Sequence, residues 1–332
     1  MTVRPPLDTA RILAAEYGQQ LDPVNYIVGV AISGRLRLHA ALPSTPNPAP
    51  SIVQAVDPLV TPDNLAQVLD ADGSVQSGFV WAGELSAATG DDRYADFLIG
   101  IANRYLDLRP DGLPHPIDPD NRVEEVFFAG ALLGRAFQRT ADPRYANALA
   151  AILGRVHAQP GSGLWWHCGA SPFYWGRGNA FAALGFAEAL SYLPAGAAGR
   201  DALLAEHTAH LDALIRHQHP SGAWHQVVDR PDSYLELTAT AMIGYALARG
   251  IARGWLPADS GANYRPAVDR AWAAVNERID DAGMVRDACV GTGPLPTLDD
   301  YLQRPAATGH DDRAGSMALW FALECAALDT RS

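Results

Sequence analysis

The chain has 332 residues, of which 48% are apolar and 19% charged, a composition typical of a globular protein with a large core. Its formal net charge of -12 argues against nucleic acid or an anionic membrane surface as a partner. It leaves room for a small anionic substrate that is bound by a local arginine.

The cysteines and the N-terminus indicate the compartment. Cys168, Cys289 and Cys325 are an odd number without CxxC spacing, which argues against a disulfide framework and against a structural zinc site. The N-terminus lacks the long apolar segment of a secretory signal, and no stretch offers the roughly 18 apolar residues of a membrane span. We therefore expect a cytoplasmic protein.

The proline-rich segment from Ala41 to Pro62 is the first feature along the chain. Its composition predicts an extended crossing loop. A repeat begins soon after it, so the segment is not a linker between domains. We expect residues 1–332 to form a single domain.

An internal repeat follows. Thr89-Gly90-Asp91-Asp92-Arg93-Tyr94 recurs 51 residues later as Thr140-Ala141-Asp142-Pro143-Arg144-Tyr145. Glycines in similar short contexts stand at positions 73, 112, 163, 222 and 283. Each interval holds roughly two helix lengths with turns, which predicts helical hairpins arranged as a solenoid or a closed ring.

The helical stretches are of two kinds. Residues 126–133 and 237–247 are apolar or small on nearly every face, which predicts helices that are buried all round. The stretch that begins at Ala202 carries polar residues on one side. This contrast indicates an inner ring of buried helices inside an outer ring of amphipathic ones.

The glycine loops of such a ring collect at one end. Three residues after each glycine stand Gln76, His115, Trp166, His225 and Arg286, with His167 and Asp287 one step further on in two copies. Aromatic faces and hydrogen-bonding tips are what a sugar site needs. Each of them alone could equally be an ordinary loop residue.

A candidate acid opens one buried helix. Glu124 and Glu125 precede the helix predicted from Val126 to Arg139. A carboxyl at the edge of an apolar interior is suited to general acid catalysis. The alternative is favourable placement of acids at a helix N-terminus. Glu236, ahead of the helix predicted from Leu237 to Arg249, has the same two interpretations.

The stretch Tyr174-Trp-Gly-Arg-Gly-Asn179 is the candidate anion site. Arg177 lies between two glycines and follows Trp175, which makes a flat cationic platform for a carboxylate. Glycines on both sides would let the backbone approach a ligand. Equally, the stretch could be a helix start with Arg177 in a structural ion pair.

Four motifs appear in the order found in one family: Gly163-Leu-Trp-Trp-His167; residues 174–179; Gly222-Ala-Trp-His-Gln-Val with residues 231–236; and residues 291–294 with 309–315. From about residue 80 to 325, the chain resembles the unsaturated glucuronyl and rhamnogalacturonyl hydrolases of glycoside hydrolase families 88 and 105.

The resemblance implies an (α/α)6 barrel, an all-α fold. It also implies hydration of the C4=C5 double bond of a 4,5-unsaturated uronic acid that a polysaccharide lyase has left. An acid protonates C4, water attacks C5, and the hemiketal opens to release the aglycone. Neither a metal nor an organic cofactor is implied, and the substrate would be a small anionic oligosaccharide.

Site residues follow from the motifs. The resemblance implies that Trp175, Arg177 and His167 line the uronyl site, and it puts Glu124 where the family has a catalytic Asp. The remaining expected substrate-binding residues are His115, Glu125, Trp166, Asn179 and His225. The family's second Asp falls near residues 74–76, where no acid is in register, and Asp72 is displaced.

Those two departures keep two alternatives open. One is a carbohydrate-binding or repurposed barrel without this chemistry. The other is an acid/base glycosidase that acts on saturated substrates.

Overall fold

The structure is a computed structural model that describes residues 3–115, 122–256 and 264–330. Helices dominate it, as predicted. In chain order they are α1 (Pro6–Glu16), α2 (Tyr26–Ala41), α3 (Ala49–Val56), α4 (Pro62–Asp70), α5 (Gly73–Gln76), α6 (Ala82–Thr89), α7 (Arg93–Ala102), α8 (Glu124–Thr140), α9 (Pro143–Leu153), α10 (Gly176–Tyr192), α11 (Arg200–Arg216), α12 (Leu237–Ala252), α13 (Tyr264–Glu277), α14 (Leu298–Leu302) and α15 (Asp312–Asp329).

The described strands are short. They form the antiparallel pairs β1 (Trp224–His225) with β2 (Leu235–Glu236), and β3 (Val285–Cys289) with β4 (Ala306–Gly309). Both pairs lie in the connections that lead to inner helices. None of the described helices is long and apolar enough to span a bilayer.

Helices α2, α6, α8, α10, α12 and α15 pack side by side as an inner ring. The ring closes between α6 and α8 through the turn at residues 77–79, which contacts α8. The outer helices α1, α7, α9, α11 and α13 pack against this ring. Residues 125–136 of α8 and 237–248 of α12 are buried without interruption, as predicted for the stretches 126–133 and 237–247. The (α/α)6 barrel is therefore confirmed.

Two inner helices approach each other with almost no side chain between them. A Cβ on Gly185 of α10 would lie 2.4 Å from the carbonyl carbon of Val126, and one on Gly130 of α8 would lie 2.6 Å from the Gly185 oxygen. Only glycine allows this separation. The contact fixes the first turns of α8, which begins at Glu124, against the middle of α10.

The sequence repeat is a repeated turn between an inner and an outer helix. Gly90 and Ala141 end α6 and α8 in the left-handed conformation, with φ of 74° and 56°. In both copies an aspartate, Asp91 or Asp142, accepts a hydrogen bond from the backbone N–H of the arginine two residues on. The equal geometry explains why the motif recurs.

The glycine loops also share one geometry. Gly112, Gly163, Gly222 and Gly283 have φ between 72° and 95°. In each loop, a residue three or four positions before the glycine donates its N–H to the carbonyl of the residue after it. Each loop connects an outer helix to the next inner helix, so these loops lie at one end of the barrel, as predicted.

Two expectations are wrong. Gly73 does not form such a loop, because it begins α5 and packs against the Phe128 ring. The proline-rich segment is not one extended loop, because it contains α3 and the start of α4. Prolines occupy the first turns of both helices, where a missing N–H removes no intrahelical hydrogen bond.

Candidate active site

A cavity of about 230 Å³ lies where the inner helices begin. Its wall has an aromatic part and a polar part. The aromatic part is Tyr26, Phe128, Trp175 and Phe181, and the polar part includes Asp72, Arg122, Glu124, Arg177, Thr292 and Arg313. The cavity therefore combines sugar-sized apolar faces with ionisable groups of both signs.

Glu124 is the first residue of α8, and its side chain is 15% exposed. Its Oε1 lies 3.1 Å from His167 Nε2, and its Oε2 has no hydrogen-bond partner among the described residues. The Val123 N–H donates to the His167 carbonyl, which ties the helix start to the loop that carries the histidine. One carboxyl oxygen is thus held, and the other is buried and makes no hydrogen bond within the described part of the chain.

His167 is completely buried between two aromatic residues. Its ring centroid lies 4.4 Å from that of Trp175, and its Nδ1 lies 2.5 Å from the Tyr301 hydroxyl oxygen. That hydroxyl accepts a hydrogen bond from the Leu295 N–H, so its own proton is left to donate to Nδ1. Nε2 then carries the proton that is donated to Glu124.

Burial raises the pKa of Tyr301, which favours the protonated hydroxyl that this arrangement needs. The result is a directed chain from Tyr301 through His167 to Glu124. Such a chain holds the Glu124 carboxyl in one orientation.

Arg177 is the second residue of α10 and is only 2% exposed. Its Nη1 donates to the Cys289 carbonyl at 2.6 Å and its Nη2 to the Val290 carbonyl at 3.1 Å. Its guanidinium carbon lies 4.4 Å from the centre of the Trp175 ring. The guanidinium and the indole therefore lie together, as the expected platform requires. The two carbonyls show that the guanidinium holds the segment that forms the opposite wall.

Comparison with known proteins places the chain in a family. It is 31% identical to protein Atu3128 of Agrobacterium fabrum over 211 residues, which are 58% of this chain and 82% of that protein. The family described as Glycosyl Hydrolase Family 88 matches residues 166–328. The chain belongs to glycoside hydrolase family 88.

Two further matches agree with this family 88 membership. The chain is 29% identical to the unsaturated rhamnogalacturonyl hydrolase YesR of Bacillus subtilis (strain 168) over 244 residues, 67% of each protein. A solved glycosyl hydrolase family 88 structure from Bacteroides vulgatus superposes with a TM-score of 0.79 at 18% identity, covering 98% of this chain and 100% of that one. The structural match shows the shared fold.

The glycines on either side of Arg177 allow close packing within the protein. A Cβ on Gly176 would lie 2.5 Å from the His225 carbonyl oxygen, and one on Gly178 would lie 3.1 Å from both the Trp175 ring and Val123. The expectation that they give a ligand access to the backbone is therefore replaced by close contact within the protein. They let α10 begin directly against the β1 segment.

Of the expected site residues, Glu124, Trp175 and Arg177 line the cavity. His167 lies behind Glu124, and Asn179 and Glu125 also lie outside the wall. Asn179 is buried, and its amide pairs with the N–H and the carbonyl of Trp165, which fastens the 163–167 loop to α10. Glu125 is 6% exposed and accepts a hydrogen bond from the Tyr105 hydroxyl at 2.9 Å. The turn of the helix directs Glu125 toward the outer layer when Glu124 faces the cavity.

The residues that follow the glycines lie at the correct end but do not form one cavity wall. His225 is half-buried, with its Nδ1 2.6 Å from the Ser233 carbonyl oxygen, and Trp166 is 38% exposed. His115 is exposed, and Gln76 is buried with its amide on backbone carbonyls of the preceding turn. The shared register locates the end of the barrel and does not identify the residues of the cavity.

Glu236 has a structural role here. Its two oxygens accept hydrogen bonds from the Thr238 and Ala239 N–H groups at the start of α12, and Oε1 also accepts from the Cys289 N–H. These contacts favour the helix-capping interpretation.

Three site residues were not assigned from the sequence. Tyr301 lies 134 positions from His167, and no local pattern links them. Arg313 stands at the start of an inner helix, as Glu124 does, and that position is the signal that could have found it. Asp72 appears displaced in sequence but lines the same cavity as Glu124.

Proposed function

We propose that the chain releases 4,5-unsaturated uronic acid from lyase-generated oligosaccharides by hydrating the C4=C5 double bond. The observation that carries this proposal is the state of Glu124 in the cavity: Oε1 is held by His167, and Oε2 has no partner among the described residues. A positioned acid with one free oxygen is what protonation of a carbon atom requires.

Each group then has a role. Glu124 Oε2 gives its proton to C4, and water adds to C5 while its proton returns to the Glu124 carboxylate. The hemiketal formed at C5 opens and releases the aglycone, so the enzyme ends in its starting protonation state. His167 and Tyr301 keep the carboxyl in place through both transfers.

The cavity also suits the proposed substrate class. The aromatic wall offers apolar faces to the sugar ring. Helix starts carry partial positive charge, which favours a bound anion. The relative from Bacillus subtilis is named an unsaturated rhamnogalacturonyl hydrolase, so an unsaturated uronyl-rhamnose disaccharide is the first substrate to test.

The cavity wall draws on α2, α8, α10 and α15, which span most of the chain. This supports the proposal that residues 1–332 act as one domain. Cys168, Cys289 and Cys325 are buried and free, which fits the proposed cytoplasmic location.

The test is loss of the ultraviolet absorbance of the conjugated double bond when the disaccharide is incubated with the enzyme. In deuterium oxide, the product should carry deuterium at C4, since the proton comes from a carboxyl that exchanges with solvent. Glu124→Gln should show neither change. Tight binding by the wild type without absorbance loss would favour the carbohydrate-binding barrel instead.

One observation supports a second candidate, an acid/base glycosidase that acts on saturated sugars. Asp72 lines the cavity together with Glu124, although its Oδ1 also caps α5 by accepting from the Val75 N–H at 3.0 Å. Such enzymes commonly use a pair of carboxyl groups as their catalytic residues. Release of reducing ends from saturated oligosaccharides, abolished by Asp72→Asn, would establish it.

A further inference from the structure

Arg177 and Arg313 occupy the same position in their helices. Each is the second residue of an inner helix, α10 or α15, and each lines the cavity. A cation is disfavoured at this end of a helix because the helix dipole is positive there. Both placements therefore need a compensating partner.

Arg177 has its compensation within the protein. Two backbone carbonyls accept from its Nη groups, the Trp175 ring lies over it, and only 2% of the residue is exposed, although Nε has no partner among the described residues. Little of its hydrogen-bonding fork can reach a ligand. These contacts hold the segment at Cys289 and Val290 in place, which indicates a structural role for Arg177 in the cavity wall.

Arg313 is compensated less completely. Among the described residues, its ion pair is with Asp311, at 3.5 Å between Nη1 and Oδ2, and 17% of its side chain is exposed. Asp311 is already engaged as the cap of α15, where Oδ1 accepts from the Ala314 N–H at 2.8 Å. Arg313 also shares a side-chain hydrogen bond with Tyr26. Because the ion pair is loose, the rest of its planar fork is able to bind another carboxylate.

The surroundings of Arg313 keep that fork at the cavity. A Cβ on Gly291 would lie 3.6 Å from Arg313 Nη2, so the guanidinium lies close to this backbone segment without being crowded by it. Tyr26 lies beside the same groups. Burial raises the pKa of Tyr26, whereas the charges of Arg313 and Arg177 act in the opposite direction.

We propose that Arg313 binds the carboxylate of the uronyl substrate through a planar two-point contact, and that Arg177 acts as a positioning residue that shapes the wall. This assignment rests on the proposed function. It makes Arg313 the residue that selects an acidic sugar over a neutral one.

The experiment compares the unsaturated uronyl disaccharide with its methyl ester, which lacks the negative charge. We would measure kcat/KM from absorbance loss for the wild type, Arg313→Gln, Arg313→Lys and Arg177→Gln. Arg93→Gln, on an exposed turn at the other end of the barrel, controls for the loss of one positive charge. Because the ester has its own intrinsic reactivity, the ratio of the two substrates within each variant is the quantity to compare.

A charge-assisted contact of this kind predicts that Arg313→Gln lowers kcat/KM on the acid about 30- to 100-fold. On the ester the loss should be under about threefold, since no carboxylate is present there. Arg313→Lys should lie between, because the charge remains without the fork. Arg177→Gln should slow both substrates by the same factor.

Equal losses on acid and ester in Arg313→Gln would overturn the assignment, as would loss of the acid preference in Arg177→Gln alone. Binding can also be measured without turnover. Calorimetry would compare the affinity of both compounds for the single variant Glu124→Gln and for the double variant that also carries Arg313→Gln. If the wild type shows no absorbance loss but Arg313 governs acid binding, the proposed function fails and the assignment stands. No preference for the acid in either assay overturns the assignment.

Discussion

The two ends of the barrel differ in how their charges are partnered. At the end where the inner helices finish, a cavity of about 790 Å³ is lined by Arg37, Glu84, Arg135, Arg249 and Glu324. Its charges are paired: Arg135 Nη1 lies 2.9 Å from the buried Glu188 Oε2, Arg37 Nε lies 3.0 Å from Glu84 Oε1, and Arg249 pairs with Glu324. The cavity at the starting end is smaller.

Cavity volume therefore does not distinguish the proposed site, because the charges in the larger cavity pair with one another. Arg139 and Arg249 lie in the last turns of α8 and α12, where a cation is favoured by the helix dipole. Arg177 and Arg313 lie where it is disfavoured, in the wall of the cavity that also contains Glu124. An unpartnered carboxyl oxygen occurs at both ends, but Oε1 of Glu84 pairs with Arg37, whereas Oε1 of Glu124 lies against His167. We propose that the paired end contributes to stability and that the end with Glu124 binds the ligand.

The largest expected effect concerns Glu188, the centre of the paired end. Burial favours its neutral form, but the surrounding arginines outweigh burial and lower the pKa of Glu188 to about 2. Glu188→Gln would leave buried arginine charge without its partner, so we expect the free energy of unfolding to fall by about 3 to 5 kcal/mol. Urea unfolding measures this.

Asp92→Asn is the matched control at the same end. Asp92 pairs with Arg139 at the rim, and its side chain is 64% exposed. A loss under about 1 kcal/mol is expected. Similar losses in both variants would show that burial of the ion network is not what stabilises this end.

The next effect is on stability in acid. Burial lowers the pKa of His207 and of His210 to about 3, whereas both titrate near 6.5 when unfolded. Their contribution is complete above pH 6.5 and is lost as the pH falls toward 3, because only the unfolded state takes up protons. At pH 5 the loss is about 2 kcal/mol for each histidine.

His207→Phe tests this directly, since the His207 ring stacks on Phe186 at 5.9 Å between centroids. The variant should lose about 2 kcal/mol less than the wild type between pH 7 and pH 5 in urea unfolding. Equal losses would mean that the acid sensitivity has another source, such as the carboxylates of the paired end.

A smaller effect separates the two interpretations of Arg177. Arg177→Lys cannot reach both the Cys289 and Val290 carbonyls, so we expect about 1 to 2 kcal/mol less stability in thermal unfolding. The unsaturated acid and its methyl ester should be slowed equally. Unchanged stability with weaker binding of the acid alone would restore the interpretation drawn from the sequence.

The smallest effect is that of Tyr301→Phe. It removes the hydroxyl that orients His167 but leaves the ring in place. We expect kcat to fall about tenfold, as for one lost hydrogen bond, with little change in KM. A rise in KM with unchanged kcat would mean that Tyr301 contacts substrate and does not act through His167.

The fold was predictable because helix periodicity and the repeat are local properties. The helix predicted from Val126 to Arg139 is observed as α8, and the glycine register correctly locates one end of the barrel. The partners of Arg177 lie 112 and 113 positions away, so no local pattern reports them. The structural role of Asn179 was not predictable for the same reason, because its contact with Trp165 depends on how a loop folds onto α10.

The central claim is that catalysis and the stabilising ion network lie at opposite ends of the barrel. It is tested by comparing one acid from each end. Glu124→Gln and Glu188→Gln are compared for absorbance loss and for thermal unfolding, with Glu125→Gln as a neighbour control. If Glu124 is the acid, Glu124→Gln should lower the rate by a factor of about 10² to 10⁴ with almost unchanged stability. Glu188→Gln should be destabilised yet turn over normally while folded, and Glu125→Gln should retain much of the activity. Full activity in Glu124→Gln, or lost turnover in folded Glu188→Gln, would contradict the division between the ends.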